Sequence, residues 1–233
     1  MLFRSAPGDL GTVLKVLYLI FNEGYTGEVD LAAEAIRLTR QLAGSSEEPE
    51  VAGLLALMLL HHARRAARFT ADGSLVPLGE QDRSRWDEHA IAEGVVVLQA
   101  ALARDRLGEY QAQAAIAALH ADARTAGETD WSQILEWYDE LAGLTDSPVV
   151  ALNRAVAVAA VDGPLAGLRA VERVPDDVPR HTAVRAYLHE QAGDRALAHD
   201  LYVAAASRAT STAERDHLTR QAARLNSETS KDN

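Results

Sequence analysis

The stretch GLLALMLLHHARRAARF, residues 53–69, decides the fold class. From Gly53 to Leu60 every residue is apolar or glycine, so a helix over this run is apolar on all of its faces. Such a helix is buried on several sides rather than lying on a surface. The stretch therefore predicts a central helix that starts near Pro49 and ends near Phe69.

Helical periodicity continues on both sides of this stretch. Before it, a helix capped by Asp9 is expected to end near Asn22, and a second one follows Asp30 and stops at Gly44. The predicted helices after it run from Arg83 to Ala103, from Glu109 to about Ala123, from the Thr129-Asp130 cap onward, and from the Ser147-Pro148 start onward. Only residues 70–80, with the Asp72-Gly73 turn, are left for a loop or short hairpin.

The last third of the chain contains an internal repeat. Asp162-Gly163-Pro164 and Ala192-Gly193-Asp194 lie 30 residues apart, each between two short helices. Small residues in the second copy, Ala186, Ala198 and Ala205 beside Tyr202, are typical of paired helices in a tetratricopeptide-like repeat. The first copy matches poorly, because Gly167 and Leu168 stand where the second has Leu197 and Ala198.

These patterns together predict an all-α protein of about eleven helices in antiparallel hairpins, forming a right-handed α-α superhelix. We expect an N-terminal helical part over residues 1–146, tetratricopeptide-like repeats with a capping helix over 147–226, and a disordered tail over 227–233.

Composition excludes several classes of function. The chain has no cysteine, which excludes thiolate catalysis and cysteine zinc sites. Its 23 basic and 34 acidic residues give a net charge of −11, which repels phosphate backbones. We therefore expect no direct DNA binding by this chain. No apolar run approaches the ~20 residues that span a bilayer, and the amino end lacks a signal-peptide pattern, so a cytoplasmic location is predicted.

Four basic residues lie close together at the end of the central stretch: His61, Arg64, Arg65 and Arg68. On one continuous helix they would place up to three cationic groups along one stripe. That stripe is either an anion pocket or a set of arginines paired with acids such as Asp82, Asp87 or Glu23. His61 and His62 are adjacent and point about 100° apart on a helix, so they do not form one metal site.

Two polar segments, Phe21–Thr26 and Gln81–Asp87, contain a wider variety of polar and aromatic side chains than a solvent-exposed loop requires. They form either a buried hydrogen-bond network or a surface that binds a ligand or a partner. Tyr110, Gln111 and His120 are positioned to complete either one. The resulting candidate docking or ligand surface consists of Asn22, Glu23, Tyr25, His61, Arg64, Arg65, Arg68, Gln81, Asp82, Arg83, Arg85, Trp86, Tyr110, Gln111 and His120.

Motifs of known catalytic chemistry are missing from the sequence. His89 and Glu93 have the i, i+4 spacing of two helical metal ligands, but no HExxH motif supplies the rest of a site. Neither a G-x-S-x-G elbow, a GxGxxG loop nor a P-loop occurs. We expect no cofactor, no metal and no enzymatic activity.

Six motifs occur in one order along the chain: LYLIFNEGYT (17–26), LMLLHHARRAAR (57–68), EQDRSRWD (80–87), GEYQAQAAIAALHA (108–121), TDWSQILEWYDEL (129–141) and SPVVALNRAVAVA (147–159). Together they resemble the tetratricopeptide-like C-terminal extension, of the DUF6596 type, in one subgroup of extracytoplasmic-function sigma factors of the sigma-70 family. That subgroup is associated with DGPF/YCII proteins. The resemblance covers Val13 to Leu225.

The resemblance implies a regulatory, noncatalytic helical module of a transcription factor. Its partners would be sigma regions two and four of the same polypeptide and, through them, RNA polymerase core and promoter DNA. Neither sigma region fits before Val13, so the chain is expected to be a segment of a longer protein or a free-standing extension.

Two other functions remain open at this stage. One is a small-ligand sensor in which His61, Arg64, Tyr25 and Arg85 line an anion or metabolite pocket. The other is an unrecognised enzyme, which would need a base within hydrogen-bond reach of a nucleophile.

Overall fold

The computed structural model of the chain describes residues 7–24 and 30–229, with side chains described over 10–24 and 30–227. Eleven α-helices occur in these ranges, so the predicted all-α fold is confirmed. They are α1 (Pro7–Glu23), α2 (Leu31–Ser45), α3 (Pro49–His62), α4 (Glu88–Leu102), α5 (Glu109–Asp122), α6 (Trp131–Leu144), α7 (Pro148–Asp162), α8 (Pro164–Val171), α9 (His181–Gln191), α10 (Arg195–Arg208) and α11 (Thr212–Thr229).

Two compact units divide the chain. Unit 1 comprises Met1–Ala66 and Asp82–Thr129, and unit 2 comprises Ala67–Gln81 and Asp130–Asn233. This division does not coincide with the predicted limit between residues 146 and 147, because α6 belongs to unit 2, where it packs against α7. The segment 67–81 groups with the C-terminal helices although it lies far from them in sequence.

Unit 1 is built around α3. Leu54, Leu57, Met58 and Leu60 are at most 1% exposed, and α3 packs against α1, α2, α4 and α5. The prediction of a central helix is therefore confirmed. Burial of each of these large apolar side chains contributes about 1.5–3 kcal/mol, which makes α3 the main source of apolar burial in this unit.

The predicted end of the central helix near Phe69 is wrong. The α-helix ends at His62, a short 3-10 turn covers Arg65–Ala67, and the chain then leaves unit 1. The Ala63 carbonyl accepts a hydrogen bond from the Asp87 amide at 2.9 Å, a contact between residues far apart in sequence that fixes where the helix stops. The four basic residues at 61–68 therefore do not share one helical stripe.

The predicted start of the next helix at Arg83 is also wrong. Arg83–Arg85 is a separate 3-10 turn whose N-cap, Asp82, accepts from the Ser84 amide. Trp86 is extended, and α4 begins only after Asp87, whose side chain accepts from the amides of His89 and Ala90. Two aspartate caps five residues apart thus divide the predicted helix into a turn and a helix.

Other helix ends follow local capping rules to different degrees. Asp30 and Asp130 cap α2 and α6 through the amides of Ala33 and Gln133. Pro148 is the first residue of α7, as predicted, but the Ser147 side chain makes no capping hydrogen bond. Asp9 lies within α1 and not before it, since α1 starts at Pro7.

Unit 2 begins with the segment 67–81, which folds as a small hairpin. An antiparallel bridge pairs Phe69 with Leu75, and the Val76 amide donates to the Arg68 carbonyl at 2.9 Å. Arg220 of α11 donates to the Ser74 hydroxyl at 3.1 Å, which ties the hairpin to the last helix.

The helices of unit 2 form the predicted hairpins α7–α8 and α9–α10. Gly163 and Gly193 occupy matching junctions with φ of +89° and +86°, which favour glycine. Ala186, Ala198, Tyr202 and Ala205 share one buried cluster, as the repeat predicts.

The first hairpin achieves the same close packing by another residue. In the first hairpin the small residue is Gly167, four residues after the junction glycine Gly163. In the second hairpin it is Ala198, five residues after Gly193. A Cβ on Gly167 would lie 2.5 Å from the Ala159 Cβ. The poor sequence match of the first copy is therefore a shift of the small position by one residue.

The C-terminal helix extends beyond its predicted end. α11 reaches Thr229 and not Asn226, so the first residues of the predicted tail are helical. The rest of that tail, residues 230–233, lies outside the described residues. Among the residues that the structure describes, none of the helices combines the length and the apolar character needed to cross a bilayer.

A hydrogen bond to a carboxylate stabilises the α9–α10 hairpin. The Tyr202 hydroxyl, on a side chain that is 5% exposed, donates to Glu190 Oε2 at 2.9 Å, and Arg224 donates to the other oxygen at 2.6 Å. We expect Tyr202→Phe to lower the free energy of unfolding by about 1–2 kcal/mol, because Glu190 keeps its charge and loses a donor.

Urea unfolding followed by circular dichroism measures this change. Tyr187→Phe is the matched control, because Tyr187 is 43% exposed. Equal losses in the two variants would contradict the role given to the Tyr202 hydroxyl.

Candidate functional site

The structure separates the predicted site residues into groups at the two ends of α3. Tyr110 and Gln111 lie at its N-terminal end, whereas Arg64, Arg83 and His120 come together at its C-terminal end. A 14-residue helix is about 20 Å long, so these groups do not form one site. Arg68 and Gln81 belong to unit 2, and Tyr25 lies outside the described residues.

At the N-terminal end of α3, the Glu50 carboxylate caps α5. It accepts hydrogen bonds from the backbone amides of Tyr110 at 2.9 Å and Gln111 at 3.1 Å. The N-cap residue itself is Gly108, and a Cβ there would lie 2.1 Å from the Glu50 Cδ. A side chain from another helix thus fills the role, and the space, of the missing capping side chain.

Gln111 completes this arrangement inside the protein. Its side chain is fully buried, and its Nε2 donates to Glu50 Oε1 at 3.2 Å and to the Arg106 carbonyl at 2.8 Å. The Tyr110 ring packs edge-on against Tyr18, with the ring centroids 5.8 Å apart. Burial, followed by the charges of Glu109 and Glu50, raises the pKa of Tyr110 to about 12. Both predicted residues therefore act in a buried network, the first of the two alternatives.

Sequence reasoning missed Glu50, the residue that organises this end of α3. A signal was present, because a helix that starts at Gly108 carries no capping side chain of its own and must receive an acceptor from elsewhere. The signal does not identify the helix that supplies the acceptor, because that helix is set by a contact between residues about 60 positions apart.

At the C-terminal end of α3, Arg83 binds the end of α5. Its guanidinium donates to the carbonyls of His120 and Ala123, the latter at 2.7 Å, and lies 4.6 Å from the Trp86 ring centroid. A cation at a helix C-terminus is stabilised by the helix dipole. Trp86 is 6% exposed, and its Nε1 has no hydrogen-bond partner in the part of the chain that the structure describes.

His120 is uncharged in this environment. Burial, followed by the positive charges of Arg64 and Arg83, lowers the pKa of its imidazole to about 4. At neutral pH the cluster therefore carries the charges of two arginines, and Arg83 is already engaged by helix carbonyls. This arrangement stabilises the fold through the hydrogen bonds of Arg83 to the end of α5, and these bonds need no bound anion.

A pH dependence of stability follows from His120. Its pKa in the fold is about 4, below the 6.5 of an ordinary histidine, so unfolding takes up a proton between these values. The contribution of neutral His120 is complete above pH 6.5 and is lost as the pH falls towards 4. We expect acidification from pH 7 to pH 5 to lower the free energy of unfolding by about 2 kcal/mol through His120.

Urea titrations of the wild type and of His120→Gln at the two pH values measure this difference. The variant should lose distinctly less stability on acidification than the wild type does. His89→Gln, which changes an exposed histidine, should behave like the wild type. An unchanged pH dependence in His120→Gln would contradict the assignment.

The remaining basic residues near the end of α3 point to different neighbours. Arg65 donates to Asp30 Oδ2 at 2.6 Å, an acid that the sequence interpretation did not name as a partner. The Ala33 amide, followed by Arg65, lowers the pKa of Asp30. Burial, followed by the charge of Arg65, lowers the pKa of His62, whose Nδ1 has no partner among the described residues. His61, like Arg64, is half-buried.

Four predicted residues face solvent. Asn22 and Glu23 are exposed at the end of α1, and Asp82 and Arg85 are exposed around the Arg83–Arg85 turn. Asp82 accepts from both the amide and the hydroxyl of Ser84, which lowers its pKa. Arg85 thus stands on a turn that is fixed on its other side by Arg83 and Trp86.

Metal ligands do not cluster in the ranges that the structure describes, where no three His, Asp or Glu side chains come together as a metal site. Gln81, in unit 2, donates to the Val76 carbonyl at 3.1 Å and closes the hairpin segment. Two cavities that no predicted residue lines occur in unit 2, with volumes of about 620 and 360 Å³.

Comparison with known proteins bears on the helices that hold these groups. Residues 9–102 match a family described as a family of unknown function, DUF6596. This range includes the EQDRSRWD motif, all of α2 to α4 and all but the first two residues of α1. This match agrees with the DUF6596 part of the resemblance. The segment that matches this family contains α3 and Glu50, while α5, which Glu50 caps, lies beyond it.

A curated relative extends the similarity beyond the residues that match this family. Uncharacterized protein R00370 of Rhizobium meliloti (strain 1021) is 47% identical over 171 residues. The aligned region covers 70% of this chain and 40% of the relative, so this chain spans less than half the length of the relative. No solved structure matches the chain.

Proposed function

We propose that this chain is a noncatalytic regulatory module of an RNA polymerase sigma factor of the extracytoplasmic-function class. It modulates transcription initiation through contacts with sigma regions two and four. The six ordered motifs support this function, and so does the match of residues 9–102 to DUF6596. A relative that is more than twice as long as the aligned region fits a module carried by a larger polypeptide.

The observation that carries the proposal is the way the EQDRSRWD motif is held. Arg83 and Trp86 anchor the turn, Arg83 through the carbonyls at the end of α5 and Trp86 by burial. Asp82 and Arg85 stand exposed on the same turn. A surface side chain on a fixed turn loses little conformational entropy when it binds, so this turn is suited to docking a protein.

The net negative charge of the module argues against direct contacts between the module and promoter DNA. With a net charge of −11 it is repelled by DNA, and promoter contacts are left to the sigma regions. By binding the sigma regions in one arrangement, the module shifts the population of the factor that engages core polymerase.

Removal of the module from the whole sigma factor tests the proposal. In transcription reconstituted with core RNA polymerase and a target promoter, the factor without this module should give a clearly altered transcript yield. Equal yields from the two proteins would contradict a regulatory role.

A single substitution tests the docking surface. Arg85→Glu in the whole factor should change the transcript yield, because it reverses a charge at the exposed position of the turn. Arg124→Glu makes the same charge change at an exposed position after α5 and should leave the yield unaltered. Equal effects of the two variants would show that the turn is not the docking surface.

A further inference from the structure

The outer face of α1 is apolar and open to solvent in the part of the chain that the structure describes. Val13, Val16 and Leu19 follow one another at intervals of three residues and are 44%, 48% and 63% exposed. This spacing places them on one face of the 17-residue helix. Leu14 and Phe21, on the opposite face, are at most 3% exposed. Because α1 is apolar on both of these faces, it has the pattern of a helix with neighbours on two sides.

The last helix, α11, shows how an outer helix of this chain meets water. Its exposed positions up to residue 227 carry polar side chains or alanine, among them Arg215, Asp216, Thr219 and Arg220. Helical repeats end in this way, on a helix with a polar outer face, because that face stays in solvent. The outer face of α1 departs from this rule, and a grouped apolar surface of this kind marks an interaction site.

The C-terminal end of α1 is linked by contacts to the EQDRSRWD motif. A Cβ on Gly24 would lie 2.1 Å from a backbone nitrogen of α2, so α1 ends directly against the start of that helix. Asp30, which caps α2, binds Arg65 in the turn after α3 at 2.6 Å. The Ala63 carbonyl, two residues earlier, accepts from the amide of Asp87, the last residue of the motif. The apolar face of α1 therefore extends towards the end of unit 1 that carries the proposed docking turn.

The small size of this face favours a tethered partner over a second copy of the chain. A stable complex buries about 800 Å² on each partner, from roughly 20–30 residues, and three half-exposed side chains provide much less. A partner joined by a short linker is present at an effective concentration on the order of millimolar, so a small face is sufficient to hold it. The aligned region covers only 40% of the curated relative, which leaves enough chain there for such a partner.

We propose that the outer face of α1 packs against an apolar surface of the sigma segment, meaning the sigma region that directly precedes this module in the same polypeptide. Val16 and Leu19 form the centre of the contact. The inference rests on the proposed function, to which it adds an apolar contact beside the charged contact of the Arg83–Arg85 turn.

The rate of alkylation of a cysteine placed on α1 tests the contact. The chain has no cysteine, so Leu19→Cys introduces a single thiol, whose reaction with iodoacetamide is followed by mass spectrometry of the tryptic peptide. We expect this thiol to react about tenfold more slowly in the whole factor than in the purified chain, because alkylation needs an accessible thiolate. Val96→Cys, at a position of α4 that is 65% exposed, is the matched control and should react equally in both proteins.

Three outcomes would overturn the proposal. Equal rates for Leu19→Cys in the two proteins would show that the sigma segment does not cover α1. Slow reaction already in the purified chain would show that this chain covers the face by itself. Protection in the whole factor that disappears on dilution would assign the face to a second copy. Because alkylation does not depend on transcription, an unprotected thiol leaves the regulatory function standing, and an unaltered transcript yield leaves the contact standing.

Discussion

Replacement of Gly53 by alanine is expected to lower the free energy of unfolding by about 3 kcal/mol. Gly53 is the point where α3 meets α5: a Cβ there would lie 2.7 Å from the Gln111 Cγ and 2.8 Å from the Gln111 backbone nitrogen. A backbone atom cannot rotate away, so the two helices must separate. Overpacking in a well-packed core costs about 1–3 kcal/mol, and movement of the Glu50–Gln111 network adds to it.

Gly44→Ala is the matched control for this prediction. Gly44 lies in α2, in the same unit, and a Cβ there would meet nothing within 4 Å. Alanine at a helical position without clashes is expected to stabilise by up to about 1 kcal/mol. Urea unfolding followed by circular dichroism compares the two variants, and equal stabilities would contradict the close approach of α3 and α5.

The second large effect is expected for Glu50→Ala, at about 3 kcal/mol. The carboxylate accepts from two backbone amides and from the Gln111 side chain, and its removal leaves these partly buried donors without an acceptor. Hydrogen bonds to a charged group contribute about 1.5–3 kcal/mol each, and unsatisfied buried donors add a desolvation cost. Glu88→Ala, an exposed acid in the first turn of α4, should cost far less.

A double-mutant cycle with Gly108 sharpens this test. A Cβ on Gly108 would overlap the Glu50 carboxyl group, so Gly108→Ala alone should be destabilising by displacing the cap. In the Glu50→Ala background the space is vacant, and the same change should cost little. The two substitutions should therefore be clearly less than additive, and strict additivity would contradict the tertiary cap.

Local patterns were enough to predict the elements whose causes are local. The apolar run from Leu54 to Leu60 predicted the buried central helix, and Asp30 and Asp130 marked two helix starts through hydrogen bonds three residues away. The paired glycines Gly163 and Gly193 predicted two helical junctions, which the structure shows with positive φ.

The candidate site was predicted as one surface and is several separate environments. Tyr110, Gln111 and Arg83, which the motifs selected, each make contacts with a distant part of unit 1. The predicted helix from Glu109 to about Ala123 already separated Gln111 from His120, but spacing gave no means to see that its two ends contact opposite ends of α3. The larger cavity of unit 2 left no sequence signal, because its wall combines residues from four helices.

The sequence by itself determined the all-α class, the buried central helix and the helical hairpins of unit 2. These features depend on periodicity and on caps within a few residues, which the order of amino acids specifies directly. Only the tertiary structure decided where α3 ends, where α4 begins and which residue caps α5. Each of these depends on a hydrogen bond between distant positions, such as Ala63 with Asp87 or Glu50 with Tyr110, and such contacts exist only after the helices have packed.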